Sequence, residues 1–226
     1  MKDLQPGVAR LQSVNVGVAR PIRAKSGLTG IDKRPISEPI AVSAPGPKGT
    51  GGSGLAGDAI CDVESHGGDD QAVYAFARED LDWWQSRLAH PLRSGTFGEN
   101  LTTLNVDVTG ARIGERWRIG EVVLQVTGPR IPCATFAAWM EDRGWVKTFT
   151  LRARPGAYLR VVVPGQIQAG DSLEVEFRPD HDVTVGMTFR ALTREPDLLP
   201  RLLAASDYLE EEIVQRATKG EPFSIA

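Results

Sequence analysis

Five short runs of alternating character between Leu101 and Phe177 constrain this chain more than any other feature. They are Leu101 to Val108, Arg112 to Ile119, Glu121 to Val126, Tyr158 to Val163 and Ser172 to Phe177. Glycines such as Gly110, Gly120 and Gly170 separate or break them. Side chains alternate across a strand with period two, so each run offers one face for burial. Short strands at this spacing with glycine turns predict an antiparallel barrel or sandwich. The close approach of the second and third runs predicts a hairpin. An earlier run, Leu11 to Val18, alternates partly and predicts a first strand.

Helical periodicity appears in three places. Val73, Ala77, Leu81, Trp84 and Leu88 form one apolar stripe and predict a helix, with Asp69 or Asp70 as its cap and Trp83-Trp84 as packing. A second helix is expected to open after Cys133. Beyond about Pro179 the period changes, and three short helices are expected at 186–193, 197–205 and 207–219, the last capped by Asp207 and ended by Gly220. The chain therefore reads as mainly β, a β-barrel domain with inserted helices over 1–181, plus a three-helix C-terminal appendage over 182–226.

One motif misleads. Gly49-Thr50-Gly51-Gly52-Ser53-Gly54 fits G-x-G-x-x-G, but a dinucleotide site needs a strand before it and a helix after it. Here Pro45-Gly46-Pro47-Lys48 precedes it, and Asp58 to Val63 follows with strand-like alternation. The stretch 44–57 reads as a mobile loop, and a nucleotide site is rejected.

The chemistry points to Thr127-Gly128-Pro129-Arg130-Ile131-Pro132-Cys133, where a strand ends and delivers a cysteine to the start of a helix. Unpaired helix N–H groups and the macrodipole stabilise a thiolate there, the form that attacks electrophiles or binds soft metals. Arg130 acts in the same direction. The alternative is a buried, inert small apolar residue. Cys61, in the strand-like run, reads as core.

The net charge of −3 over 226 residues argues against a binder that neutralises nucleic-acid phosphates over a wide face. Residues 1–50 nonetheless hold eight Lys/Arg against three Asp/Glu, which would suit a small anion. Two cysteines cannot make a disulfide framework. Met1–Pro6 lack the apolar core of a signal peptide, and no run reaches membrane-span length. These features predict a cytoplasmic protein without membrane association. His90 and His181 show no metal-ligand spacing with the cysteines, which argues against structural zinc.

Five blocks in order resemble the MOSC domain, the family related to the C-terminal domain of molybdenum-cofactor sulfurases. They begin at Thr29-Gly30-Ile31-Asp32-Lys33-Arg34-Pro35 and His66-Gly67-Gly68-Asp69-Asp70-Gln71-Ala72-Val73-Tyr74-Ala75-Phe76, and continue through Gly95-Thr96-Phe97-Gly98-Glu99-Asn100-Leu101. Pro129-Arg130-Ile131-Pro132-Cys133 and Gly156-Ala157-Tyr158-Leu159-Arg160-Val161 complete them. The helical tail is similar to that of the YiiM-like branch. Asp70 stands where proline is usual after the His-Gly-Gly of the family, and Ala157 where an aromatic is common.

The resemblance implies a pterin-based molybdenum cofactor whose metal takes Cys133 as a ligand. It further implies reduction of N-hydroxylated compounds of the hydroxylaminopurine type. No flavin or iron–sulfur motif occurs in the chain, so electrons would come from a separate flavin or iron–sulfur reductase, with the helical tail as its docking surface. Lys33, with Thr29 nearby, is the candidate contact for the cofactor phosphate, against an exposed turn lysine. His66 would supply a proton or hydrogen bond near the metal, or else only fix the turn before the helix. Glu99 and Asn100 would brace the site, Asn100 facing the ligand, and Arg130 would pair with an anionic group. The rival reading is a non-catalytic carrier of the cofactor or of sulfane sulfur on Cys133. A cofactor-free descendant is a third. Oligomeric state is left open, a homodimer included.

Overall fold

A computed structural model describes residues 7–224; the opening Met1–Pro6 lies outside them. The strands are β1 (Arg10–Gly17), β2 (Arg20–Pro21), β3 (Leu28–Thr29), β4 (Lys33–Pro35), β5 (Ile40–Val42) and β6 (Val73–Ala77). After them come β7 (Leu101–Leu104), β8 (Arg116–Ile119), β9 (Val122–Pro129), β10 (Ala157–Val163), β11 (Gly165–Ile167) and β12 (Leu173–Phe177). The helices are α1 (Arg78–Gln85), α2 (Ala134–Trp139), α3 (Trp145–Arg152), α4 (Val185–Thr193) and α5 (Glu211–Lys219), with 3-10 turns at Asp69–Gln71 and Pro196–Ala205.

Eight strands form one sheet in the order β12-β8-β9-β10-β6-β7-β1-β4. All neighbours are antiparallel except β6 and β7, whose parallel pairing needs the long crossover that carries α1. The Leu11 N–H donates to the Asp171 carbonyl and the Leu173 N–H to the Ala9 carbonyl, both at 2.9 Å. The start of β1 thus has β7 on one side and the start of β12 on the other, and the sheet curls back on itself as a barrel requires. The expected hairpin is β8–β9, joined at Gly120.

The core has two parts. The larger joins barrel residues such as Leu11, Leu124 and Leu159 to tail residues such as Leu192, Leu202 and Ile213, so the C-terminal helices share the barrel's apolar interior. Gly128 of β9 leaves room for the Ile213 side chain of α5, since a Cβ there would stand 3.1 Å from Ile213 Cδ1. The second part is aromatic, with Phe76, Trp84, Phe97, Phe136, Trp145 and Phe149 packed beneath α2.

Several local expectations are corrected. Val73–Ala77 is a strand buried on both faces, and helix α1 begins only at Arg78. A short apolar run suits a buried strand and a helix equally, and pairing with β10 and β7 on both edges decides for the strand. Asp69 and Asp70 cap nothing there: Asp69 accepts the Gly46 N–H and Asp70 pairs with Arg160. Asp58 to Val63 is irregular, and Cys61 is exposed rather than core. Glu210, not Asp207, occupies the cap position of α5, while Gly220 ends it with φ 72°. Helix α3 was not expected. The glycine-rich stretch is held by hydrogen bonds from the Gly51 N–H to the Pro47 carbonyl and from the Gly54 N–H to the Ala72 carbonyl.

Candidate functional site

Cys133 stands at the cap position of α2 with extended backbone, and its carbonyl accepts the Ala137 N–H at 3.1 Å. Strand β9 delivers it, and Phe136, one turn on, anchors the helix. The Phe136 ring is fully buried and lies 5.3 Å, centroid to centroid, from Phe97, Trp145 and Phe149. Apolar packing therefore decides where the thiol points.

The thiol opens into a cleft enclosing about 660 Å³ of empty space, including its mouth. Thr29, Lys33, His66, Asn100, Arg130 and Cys133 all line it. Burial opposes ionisation of Cys133, but the His66 imidazole, the Arg130 guanidinium and the Phe136 amide outweigh it. They hold the thiol down to about 6.

His66 reaches the cleft because the chain folds tightly behind it. Gly67 and Gly68 have φ of 79° and 78°. A Cβ on them would stand 2.7 Å from the Gly52 carbonyl oxygen and 2.6 Å from the Lys48 nitrogen. Only glycine fits such a left-handed, crowded turn.

Arg130 is 7% exposed, and its Nε has no hydrogen-bond partner among the described residues. Its guanidinium carbon lies 4.6 Å from the Phe136 ring centre and 5.2 Å from that of Tyr74. Burial works against its charge, but Tyr158, Tyr74, Cys133 and Glu99 outweigh that and raise its pKa. A buried guanidinium without a carboxylate partner is costly and calls for an anion.

Lys33 is not an exposed turn lysine. Its side chain is 5% exposed, and its ammonium lies 2.5 Å from each oxygen of Asp58, whose side chain is fully buried. Burial lowers the Lys33 pKa, and Asp58 partly restores it. Asn100 is engaged at both ends: its Oδ1 accepts the Tyr74 N–H and its Nδ2 donates to Asp58 Oδ2 at 2.9 Å. Glu99 accepts the N–H groups of Gly95 and Phe97 and the Thr102 hydroxyl, which locks the 95–99 turn. The Thr29 hydroxyl accepts the Ile31 N–H.

The MOSC domain profile matches residues 62–174, half of the sequence. The chain belongs to the MOSC domain family. Protein YflK of Bacillus subtilis (strain 168), itself uncharacterised, is 30% identical over 175 residues, 76% of each chain. A protein named a reductase from Gibberella moniliformis is 30% identical over 138 residues, 59% of this chain and 24% of that protein. The crystal structure of YiiM from Geobacillus stearothermophilus superposes with a TM-score of 0.75 at 25% identity, covering 94% of this chain and 98% of that one.

The MOSC cleft also holds residues that sequence reasoning missed. Cys61 lines it from an irregular segment whose strand-like alternation suggested core, and Asp58, from the same segment, pairs with the lining residue Lys33. Tyr74 was hidden on a stretch read as helix, and Gln71 and Tyr158 lay inside matching blocks without an assigned role. No helix among the described residues is long and apolar enough to cross a membrane.

The two cysteines of this MOSC protein should react differently. Burial raises the pKa of Cys61 above its ordinary value of 9.0, despite the charge of Lys33 nearby. In protein made without cofactor, iodoacetamide should modify Cys133 with a midpoint near pH 6, and Cys61 only at alkaline pH. Peptide mass spectrometry across pH 5–10 reads both. Faster labelling of Cys61 at pH 7 would contradict the electrostatics described. The same depression links to stability: between about pH 6 and 9 the unfolded thiol holds a proton that the folded one has lost, so this group favours folding increasingly as pH rises.

Proposed function

We propose that the cleft holds a pterin-based molybdenum cofactor and that the protein reduces N-hydroxylated compounds with electrons from a separate reductase. One observation carries the reading: an activated thiol and a buried guanidinium whose Nε has no hydrogen-bond partner among the described residues face the same cleft. A thiolate is a single soft donor, which suits a metal whose other ligands arrive with its cofactor. Arg130 suits the anionic groups of such a cofactor. Membership of the MOSC family and the reductase-named relative support the same direction.

When bound, the cofactor supplies the two-electron redox chemistry. The chain supplies position and protons. Cys133 would hold the metal at the start of α2, and Arg130 would hold an anion beside it, its plane steadied against Phe136 and Tyr74. Lys33 and Asp58, tied by Asn100, form a neutralised pair in the cleft wall, with Thr29 alongside. His66 carries an imidazole beside the Cys133 thiol, where its ring N–H can donate to a group in the cleft. The overall conversion takes R–NHOH, two electrons and two protons to R–NH2 and water, so a proton donor at the leaving oxygen is required.

Molybdenum and pterin content per chain tests this, using protein from a host that makes the cofactor and Cys133→Ser prepared alongside. Near-stoichiometric metal in the wild type, falling at least about tenfold in the variant, is the expected result. Turnover of an arylhydroxylamine with a chemical reductant should follow the metal. No metal or pterin in either protein, from a host that loads another molybdoenzyme, would sink the reading. The low pKa of Cys133 equally suits a persulfide carrier, recognised by retained cofactor or Cys133 persulfide without turnover.

A further inference from the structure

We propose that Gln71 accepts a hydrogen bond from an N–H group of the molecule in the cleft, and that Glu210 of the C-terminal extension orients its amide for this. Gln71 lines the cleft, 139 positions from Glu210 in sequence, and its Nε2 donates to Glu210 Oε2 at 3.0 Å. A carboxylate only accepts, so the amide must present its NH2 group to Glu210 and turn its carbonyl oxygen away. That oxygen, Oε1, is buried and has no hydrogen-bond partner among the described residues. A buried acceptor left unpaired is costly, and a ligand donor would satisfy it.

Glu210 is well placed to hold this geometry. Its Oε1 accepts from Lys48 Nζ at 2.6 Å. Lys48 belongs to the glycine-rich stretch packed against Gly68, next to the turn that delivers His66. One carboxylate at the start of α5 therefore ties the tail both to the cleft wall and to the loop behind His66. The cleft acquires two poles: Arg130 favours an anion, and the carbonyl of Gln71 repels one and selects a donor. The N–H could belong to a pterin ring or to an N-hydroxylated substrate, and these ligand classes rest on the function proposed above.

The test uses the full chain from a cofactor-making host, as wild type, Gln71→Met and Glu210→Gln. Pterin content per chain is measured, together with calorimetric affinity for phenylhydroxylamine, which has an N–H, and for N,N-dimethylaniline N-oxide, which has none. If the donor is the pterin, pterin retention under dialysis falls about tenfold in Gln71→Met, the loss expected for one hydrogen bond. If it is the substrate, pterin stays, phenylhydroxylamine affinity falls by the same factor and N-oxide affinity is unchanged. Glu210→Gln should show the same selective loss in smaller degree, and in a fourth protein carrying both substitutions it should add nothing to Gln71→Met, a non-additivity that general loosening of the tail would not produce. Unchanged content and affinities overturn the proposal. So do parallel losses for both compounds, and a wild type that holds neither pterin nor phenylhydroxylamine. None of these readouts needs turnover, so a protein without reductase activity would refute the function while leaving this assignment decided.

Discussion

Lys33→Met should lose about 3–5 kcal/mol of stability, the usual result of removing one partner from a buried ion pair. Asp58 would keep its charge in a site where its side chain is fully buried, with the Gly17 N–H and the Asn100 amide left to answer it among the described residues. For a chain of this size the loss corresponds to a fall in Tm of about 10 °C. The double variant Lys33→Met with Asp58→Asn should regain most of it, because no uncompensated charge then remains. Thermal denaturation of the four proteins in this cycle gives the coupling directly. A single variant as stable as the wild type would show that Asp58 is hydrated or protonated in the folded chain.

Phe136→Ala should be comparably damaging, by about 3–5 kcal/mol, since it empties the centre of a fully buried aromatic cluster. The consequence reaches the site, because the same ring seats α2 and lies under the Arg130 guanidinium. The pH midpoint of Cys133 alkylation should therefore move from about 6 towards that of a free thiol. Phe136→Leu, which keeps most of the volume, should hold both the fold and the midpoint nearer the wild type. Calorimetry and the alkylation profile measure the two effects together. A destabilised Phe136→Ala with an unshifted midpoint would mean that the thiol environment does not depend on how α2 is seated.

Much of the barrel was legible because its evidence is local. Period-two alternation placed the strands β7 to β10 and β12 to within a few residues, and Gly120 marked the β8–β9 hairpin. The helical tail announced itself by a change of period and by Gly220. Misreadings fell where a segment's fate depends on its partners. Val73–Ala77 carries a helical stripe that sheet pairing overrides, and Cys61 carries strand-like alternation that nothing pairs with.

The sequence by itself determined a strand-rich barrel, a helical tail and a cysteine delivered from a strand end to a helix start, because periodicity, glycine placement and capping act over a few residues. Only the tertiary structure decided that Lys33 is buried against Asp58 and that Arg130 has no salt-bridged carboxylate among the described residues. It also decided that His66 stands beside Cys133, and that Glu210 reaches Gln71. Those facts depend on which distant segments the closing sheet brings together, and charge, burial and pKa are properties of that neighbourhood rather than of the residue.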